Sequence, residues 1–128
     1  MKTILVDAIN TFVIKGEGIF EEMRGLLEQY PNNKKIILTN ADDEQMKKNG
    51  LNGMPYEVFT LKHNPEKTNP EYYEKMLEHF GLSKDGVLYF EHNKDAVKSA
   101  RSAAIKTHHY DKDKKNLNEL NKFLTDNL

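Results

Sequence analysis

Apolar positions along the chain alternate between short continuous runs and longer stretches spaced at about 3.6 residues, the two signatures of buried strands and amphipathic helices. Ile4-Leu5-Val6 is a β-branched run closed by polar Asp7, which predicts a buried strand. Phe20, Met23, Leu26, Leu27 and Tyr30 share one helical face, and Pro31-Asn32-Asn33 ends that helix. Ile36-Ile37-Leu38 predicts a second strand running into Thr39-Asn40, and a short polar helix follows from Asp42 to Asn49, closed by Gly50. Tyr56 to Leu61 alternates apolar and polar residues as a third strand does. Asn69 can then cap a helix whose first position is Pro70, where a missing N–H costs nothing. Tyr73, Met76, Leu77 and Phe80 form its apolar face and Gly81 ends it. Val87 to Phe90 is a fourth strand, Asn93 to Ala103 a helix, Ile105-Lys106-Thr107 a weaker fifth strand, and Leu117, Leu120, Phe123 and Leu124 mark a last helix.

Strands alternating with helices of this length imply right-handed crossovers and a parallel sheet covered on both faces. No repeat, low-complexity tract or linker divides the sequence, which predicts a single domain over residues 1–128. Ligands of such sheets bind at the carboxyl ends of the strands. The residues there are Asp7, Thr39-Asn40, the region after Leu61, and Glu91-His92. Polar residues are common at strand ends in any α/β domain, so the set gains meaning only from its order and spacing.

Composition narrows the chemistry. Nineteen basic and twenty acidic residues leave a net charge of -1, with no electrostatic footprint for nucleic acid or an anionic membrane surface. With no cysteine, disulfides, thiolate metal sites and cysteine nucleophiles are excluded. The longest apolar runs are far short of a membrane span, and Met1 leads directly into a strand rather than a signal peptide. The expectation is a cytoplasmic protein without membrane or nucleic-acid partners. Lys112 to Lys115 reads as a solvated helix start, and the other histidines, including His63, His79, His108 and His109, show no ligand spacing.

The strand-end residues resemble the motifs of the haloacid dehalogenase-like (HAD) superfamily across nearly the whole chain. In that family the first strand ends in Asp-x-Asp-x-Thr, and here it runs Asp7-Ala8-Ile9-Asn10-Thr11. The second strand ends in Thr or Ser, matched by Thr39-Asn40. The third motif is a Lys, often followed by Pro-x-Pro-x-x-Tyr and a helix ending in Gly-Leu. Lys67-Thr68-Asn69-Pro70-Glu71-Tyr72-Tyr73 to Gly81-Leu82 is similar over sixteen positions. The resemblance implies a three-layer Rossmannoid α/β sandwich with a five-stranded parallel sheet in the order 5-4-1-2-3. The intervals from Thr11 to Thr39 and from Thr39 to Lys67 are both too short for a cap domain. That is similar to the capless branch, whose open sites serve large or tethered substrates or rely on a partner for closure.

By the same resemblance Asp7 is the nucleophile that forms an aspartyl-phosphate. Thr39, Asn40 and Lys67 hold the phosphoryl oxygens, with Lys62 a rival to Lys67 because it lies closer to the third strand. Ile9 stands where the family's phosphatases carry the acid and base of the reaction, so its side chain can do neither, although its carbonyl can still serve as a metal ligand. The fourth motif binds Mg2+ through one or two acids. Without gaps it falls on Glu91-His92, which puts His92 at the usual carboxylate ligand; an alternative register pairs Glu91 with Asp95, four residues apart. A hard cation prefers oxygen, so the first register weakens Mg2+ and opens the site to imidazole-tolerant metals such as Zn2+. Two functions follow from the resemblance: a phosphohydrolase or phosphotransferase acting on a phosphorylated substrate, and a catalytically inactive domain that binds phosphate or a partner protein. Dehalogenation tolerates the missing second acid, but its small substrates normally need a cap.

Overall fold

Five parallel strands carry the apolar runs, and the computed structural model describes residues 1–128. They are β1 (Thr3–Asp7), β4 (Lys35–Thr39), β5 (Glu57–Thr60), β6 (Val87–Glu91) and β7 (Lys106–His109), in the order β5-β4-β1-β6-β7. This is the order the resemblance implies, and it makes β1 the central strand. Asp7 lies across from Leu38 of β4, and Val6 across from Phe90 of β6, so the carboxyl ends of all three strands meet on one edge.

Side chains alternate across each strand, and the sheet therefore has two apolar faces. Ile4 and Val6 join Ile37, Leu88 and Phe90 beneath α1 (Glu21–Glu28) and α5 (Leu117–Asn127). Leu5 joins Ile36, Leu38 and Tyr89 on the other face beneath α3 (Pro70–Phe80), with Ala100 of α4 (Lys94–Ser102) packed against them. The same alternation puts Asp7 on the Leu5 face and Glu91 on the Tyr89 face, so both acids head the α3 side of the sheet. The α3 cap is as expected, with Asn69 accepting from the Glu71 N–H and Pro70 at the first helical position.

Two features depart from the sequence reading. The interval from Thr11 to Phe20, where the Gly16-Glu17-Gly18 stretch predicts only a short turn, holds paired strands: Val13–Ile14 (β2) and Gly18–Ile19 (β3) form an antiparallel hairpin. Gly16 at φ 82 and Gly18 at φ 96 let the chain reverse there, a region open to glycine at little cost. The last strand runs on through His108 and His109 instead of ending before them. The sequence predicts His108-His109 just beyond that strand as solvated residues, but His108 is stacked against Phe123 and half-buried, while His109 is exposed. α2 (Asp43–Lys48) carries a reciprocal capping box between Asp42 and Gln45. Neither interval around Thr39 contains a domain-sized insertion, and no helix is long and apolar enough to cross a membrane.

Candidate functional site

Four side chains from three parts of the chain converge where β1 and β6 end. Asp7, Lys67 and Glu91 are 1%, 7% and 0% exposed, so their charges must be answered inside the protein. The Lys67 ammonium, on the loop between β5 and α3, donates to Asp7 Oδ1 and to Glu91 Oε1, each at 2.7 Å. It also reaches the Leu38 carbonyl at 3.3 Å, which fills its three donor positions. The other oxygen of Asp7, Oδ2, accepts from the Thr11 hydroxyl at 2.7 Å, from the His92 backbone N–H at 3.3 Å, and from His92 Nδ1. Glu91 Oε1 also accepts from the Tyr89 hydroxyl, and Oε2 accepts from the Asn93 N–H at 3.0 Å. His92 Nδ1 lies 3.4 Å from Glu91 Oε2.

These contacts set the protonation of the cluster. Burial pushes the Asp7 carboxyl up, but the Lys67 charge and the hydrogen bond from His92 outweigh it and hold Asp7 well below the usual carboxylate range. Glu91 is pushed up to about 7, first by burial and then by the Asp7 charge, which Lys67 only partly offsets. Burial lowers the Lys67 ammonium, yet the two carboxylates raise it above its ordinary value. His92 is raised mainly by its hydrogen bond to Asp7.

A cavity of about 220 Å³ opens above the cluster. Its wall includes Asp7, Ile9, Thr39, Asn40, Lys67, Glu91 and His92, seven residues singled out from the sequence. Asn40 does more than line it: its Oδ1 accepts the Lys67 backbone N–H at 2.7 Å and so fixes the loop that delivers the ammonium. Thr39 accepts from the Ala41 N–H through its hydroxyl oxygen, which shapes the turn that leaves β4 and carries Asn40. Lys62, the rival of Lys67, is exposed and paired with Asp43 at 3.0 Å. Asp95 is also outside the site: Asn93 caps α4, Asp95 falls on its exposed first turn, and the acid cluster is Asp7, Glu91 and His92. The gapless register of the fourth motif is therefore the one the fold brings together. Sequence reasoning did not single out Thr11 and Tyr89 as parts of the site. Thr11 closes the first motif four residues after Asp7, and Tyr89 stands two residues before Glu91 on the same strand face, so spacing carried a signal for both.

No family sequence profile matches the chain, and no curated protein matches it. Solved structures do. A hydrolase from Streptococcus pneumoniae superposes with a TM-score of 0.62 at 22% identity, over 84% of this chain and 57% of its own. A HAD-family enzyme from Bacteroides thetaiotaomicron, a mutant in complex with magnesium and inorganic phosphate, gives 0.60 at 19% identity, over 78% and 56%. A HAD-superfamily hydrolase from Geobacter sulfurreducens gives 0.57 at 23% identity, over 73% and 47%. The chain has the HAD-like fold. It spans about half the length of the structures it matches.

The motif resemblance leads to the expectation of a Mg2+ ion, and the donor set can be tested against it. Ligand atoms of Asp7, Glu91 and His92 lie within 4.8 Å of one another, close enough to share an ion. Their chemistry does not suit Mg2+, which demands a near-octahedral shell of oxygens. One of the three ligands is an imidazole, which leaves only two carboxylates as side-chain oxygen donors, and Lys67 Nζ already holds one oxygen of each. The residues present do not fit the ion.

Tyr72, on α3, ties the ends of β4 and β5 together, its hydroxyl contacting the Thr39 carbonyl at 2.9 Å and the Phe59 carbonyl at 3.2 Å. Tyr72→Phe keeps the ring and strands buried acceptors, so it should lower stability by about 1–3 kcal/mol, read as a shift of the urea midpoint at unchanged slope. A midpoint equal to wild type would show that the ring alone secures the strand ends.

Proposed function

We propose that the chain is a phosphohydrolase or phosphotransferase that works through an aspartyl-phosphate on Asp7. The observation that supports this reading most is the placement of Asp7: a buried, ionised carboxylate at the end of the central strand, lining a cavity whose wall also holds Lys67, Thr39 and Asn40. A carboxylate oxygen forms a bond to phosphorus as the ester oxygen leaves with the bonding pair; water then takes the phosphoryl group and restores the carboxylate. Lys67 answers the charge that spreads over the phosphoryl oxygens. Ile9 offers no proton to the leaving oxygen, so turnover should be slow and should favour substrates with acidic leaving groups.

The test is turnover of p-nitrophenyl phosphate and acetyl phosphate by wild type and Asp7→Asn, with intact-protein mass spectra to find the phosphoryl adduct. Wild type should turn over and carry the adduct, and the variant should do neither. Equal inactivity, with no adduct on wild type, would remove the enzyme reading. A second reading then takes its place, that of an inactive phosphate-binding or protein-interaction domain. The loss of the acid at Ile9 and the internal pairing of both Asp7 oxygens favour it.

A further inference from the structure

The two acids of the cluster are bridged twice. Each gives one oxygen to Lys67 Nζ, at 2.7 Å and 2.7 Å, and turns the other towards His92 Nδ1, which is hydrogen-bonded to Asp7 Oδ2 and 3.4 Å from Glu91 Oε2. A divalent cation shared by Asp7 and the fourth motif would have to lie against those same outward oxygens. The imidazole is there instead, and it is not a loose side chain. The His92 backbone N–H donates to Asp7 Oδ2, while its carbonyl accepts from His109 Nε2 at 2.9 Å. The side chain is 20% exposed and lines the cavity wall with Asp7 and Lys67.

From this geometry we infer that His92 occupies the cation position of the site, and that the pocket binds a phosphate group without a divalent metal. Lys67 on one side and His92 on the other then supply, from within the chain, the charge compensation that Asp7 and Glu91 need. The His92 ring lines the same cavity wall, and its Nε2, which makes no hydrogen bond within the chain, offers a donor to an incoming phosphoryl oxygen beside Lys67. The inference rests on the reading of this cavity as a phosphate site, but its metal arm can be measured without phosphate.

Full-length wild type and His92→Asp are titrated with Mg2+ by calorimetry and with Mn2+ by electron paramagnetic resonance, and inorganic phosphate is then titrated with excess Mg2+ or with a chelator. Wild type should take up neither ion at the site, and its phosphate affinity should be the same in both buffers. His92→Asp restores a carboxylate ligand, so it should gain one ion per chain, and that ion should tighten phosphate binding about tenfold or more. Uptake of Mg2+ or Mn2+ by wild type with tightened phosphate binding overturns the inference and leaves the proposed function standing. Wild type and His92→Ala are titrated with Zn2+ by calorimetry alongside; uptake of one Zn2+ by wild type that is lost in His92→Ala overturns the inference as well, as does a folded His92→Asp that gains no ion. If that variant does not fold, the wild-type titrations decide alone. Phosphate binding in neither buffer counts against the proposed function, and the ion titrations still judge the position of His92.

Discussion

Lys67→Met should destabilise the protein by about 3–5 kcal/mol, the cost of leaving buried charge without its partner. The ammonium is the shared donor of Asp7 Oδ1 and Glu91 Oε1, and methionine fills its volume without carrying a proton or a charge. The two carboxylates then face each other with less compensation, at the nearly buried floor of the cavity. Part of the penalty is relieved by protonating Glu91, which burial already pushes up to about 7, so the loss should be smaller at low pH than at high pH. For the same reason Lys67→Met combined with Glu91→Leu should be less destabilised than the single variant. Urea denaturation across pH measures all three. A single-variant loss below about 1 kcal/mol, the range of a solvated surface pair, would mean that the cluster is open to water.

Ile9→Asp should raise turnover of an alkyl phosphate by about 10² to 10⁴, the usual contribution of a positioned general acid. Ile9 is half-buried in the wall of the cavity that contains Asp7, and its backbone is fixed by a bridge to Val13. A carboxyl group on that backbone faces the pocket and has solvent to share. The gain should be larger for glycerol phosphate than for p-nitrophenyl phosphate, because an alkoxide needs a proton to leave and a nitrophenolate barely does. Steady-state rates on the two substrates separate the cases. Equal rates for wild type and variant on the alkyl ester would show that another group already delivers the proton.

Much of this architecture was legible because it depends on pattern. Ile4-Leu5-Val6 and Ile36-Ile37-Leu38 have no reading other than buried strands, and their order relative to the helices sets a parallel sheet with Asp7, Thr39 and Glu91 on one edge. The β2–β3 hairpin was not legible, since strands of two residues leave no alternation to detect. The choice between His92 and Asp95 turned on where α4 begins, which the Asn93 cap decides in three dimensions. The choice between Lys62 and Lys67 turned on Asn40, a contact 27 positions away that no local pattern encodes. Tyr89 reads as another core aromatic until the burial of Glu91 gives its hydroxyl a purpose.

The cluster also ties function to the order of folding. Asp7 meets Lys67 across 60 positions and His92 across 85, because β1 lies in the middle of the sheet between β4 and β6. Contacts of such sequence separation close large loops and come late, after local helices have formed. Until β6 docks beside β1, the Asp7 carboxylate keeps its water and the cavity lined by Asp7, Lys67 and His92 does not exist. A probe of that cavity during refolding would therefore report the docking of β6 on β1, and be blind to the helices.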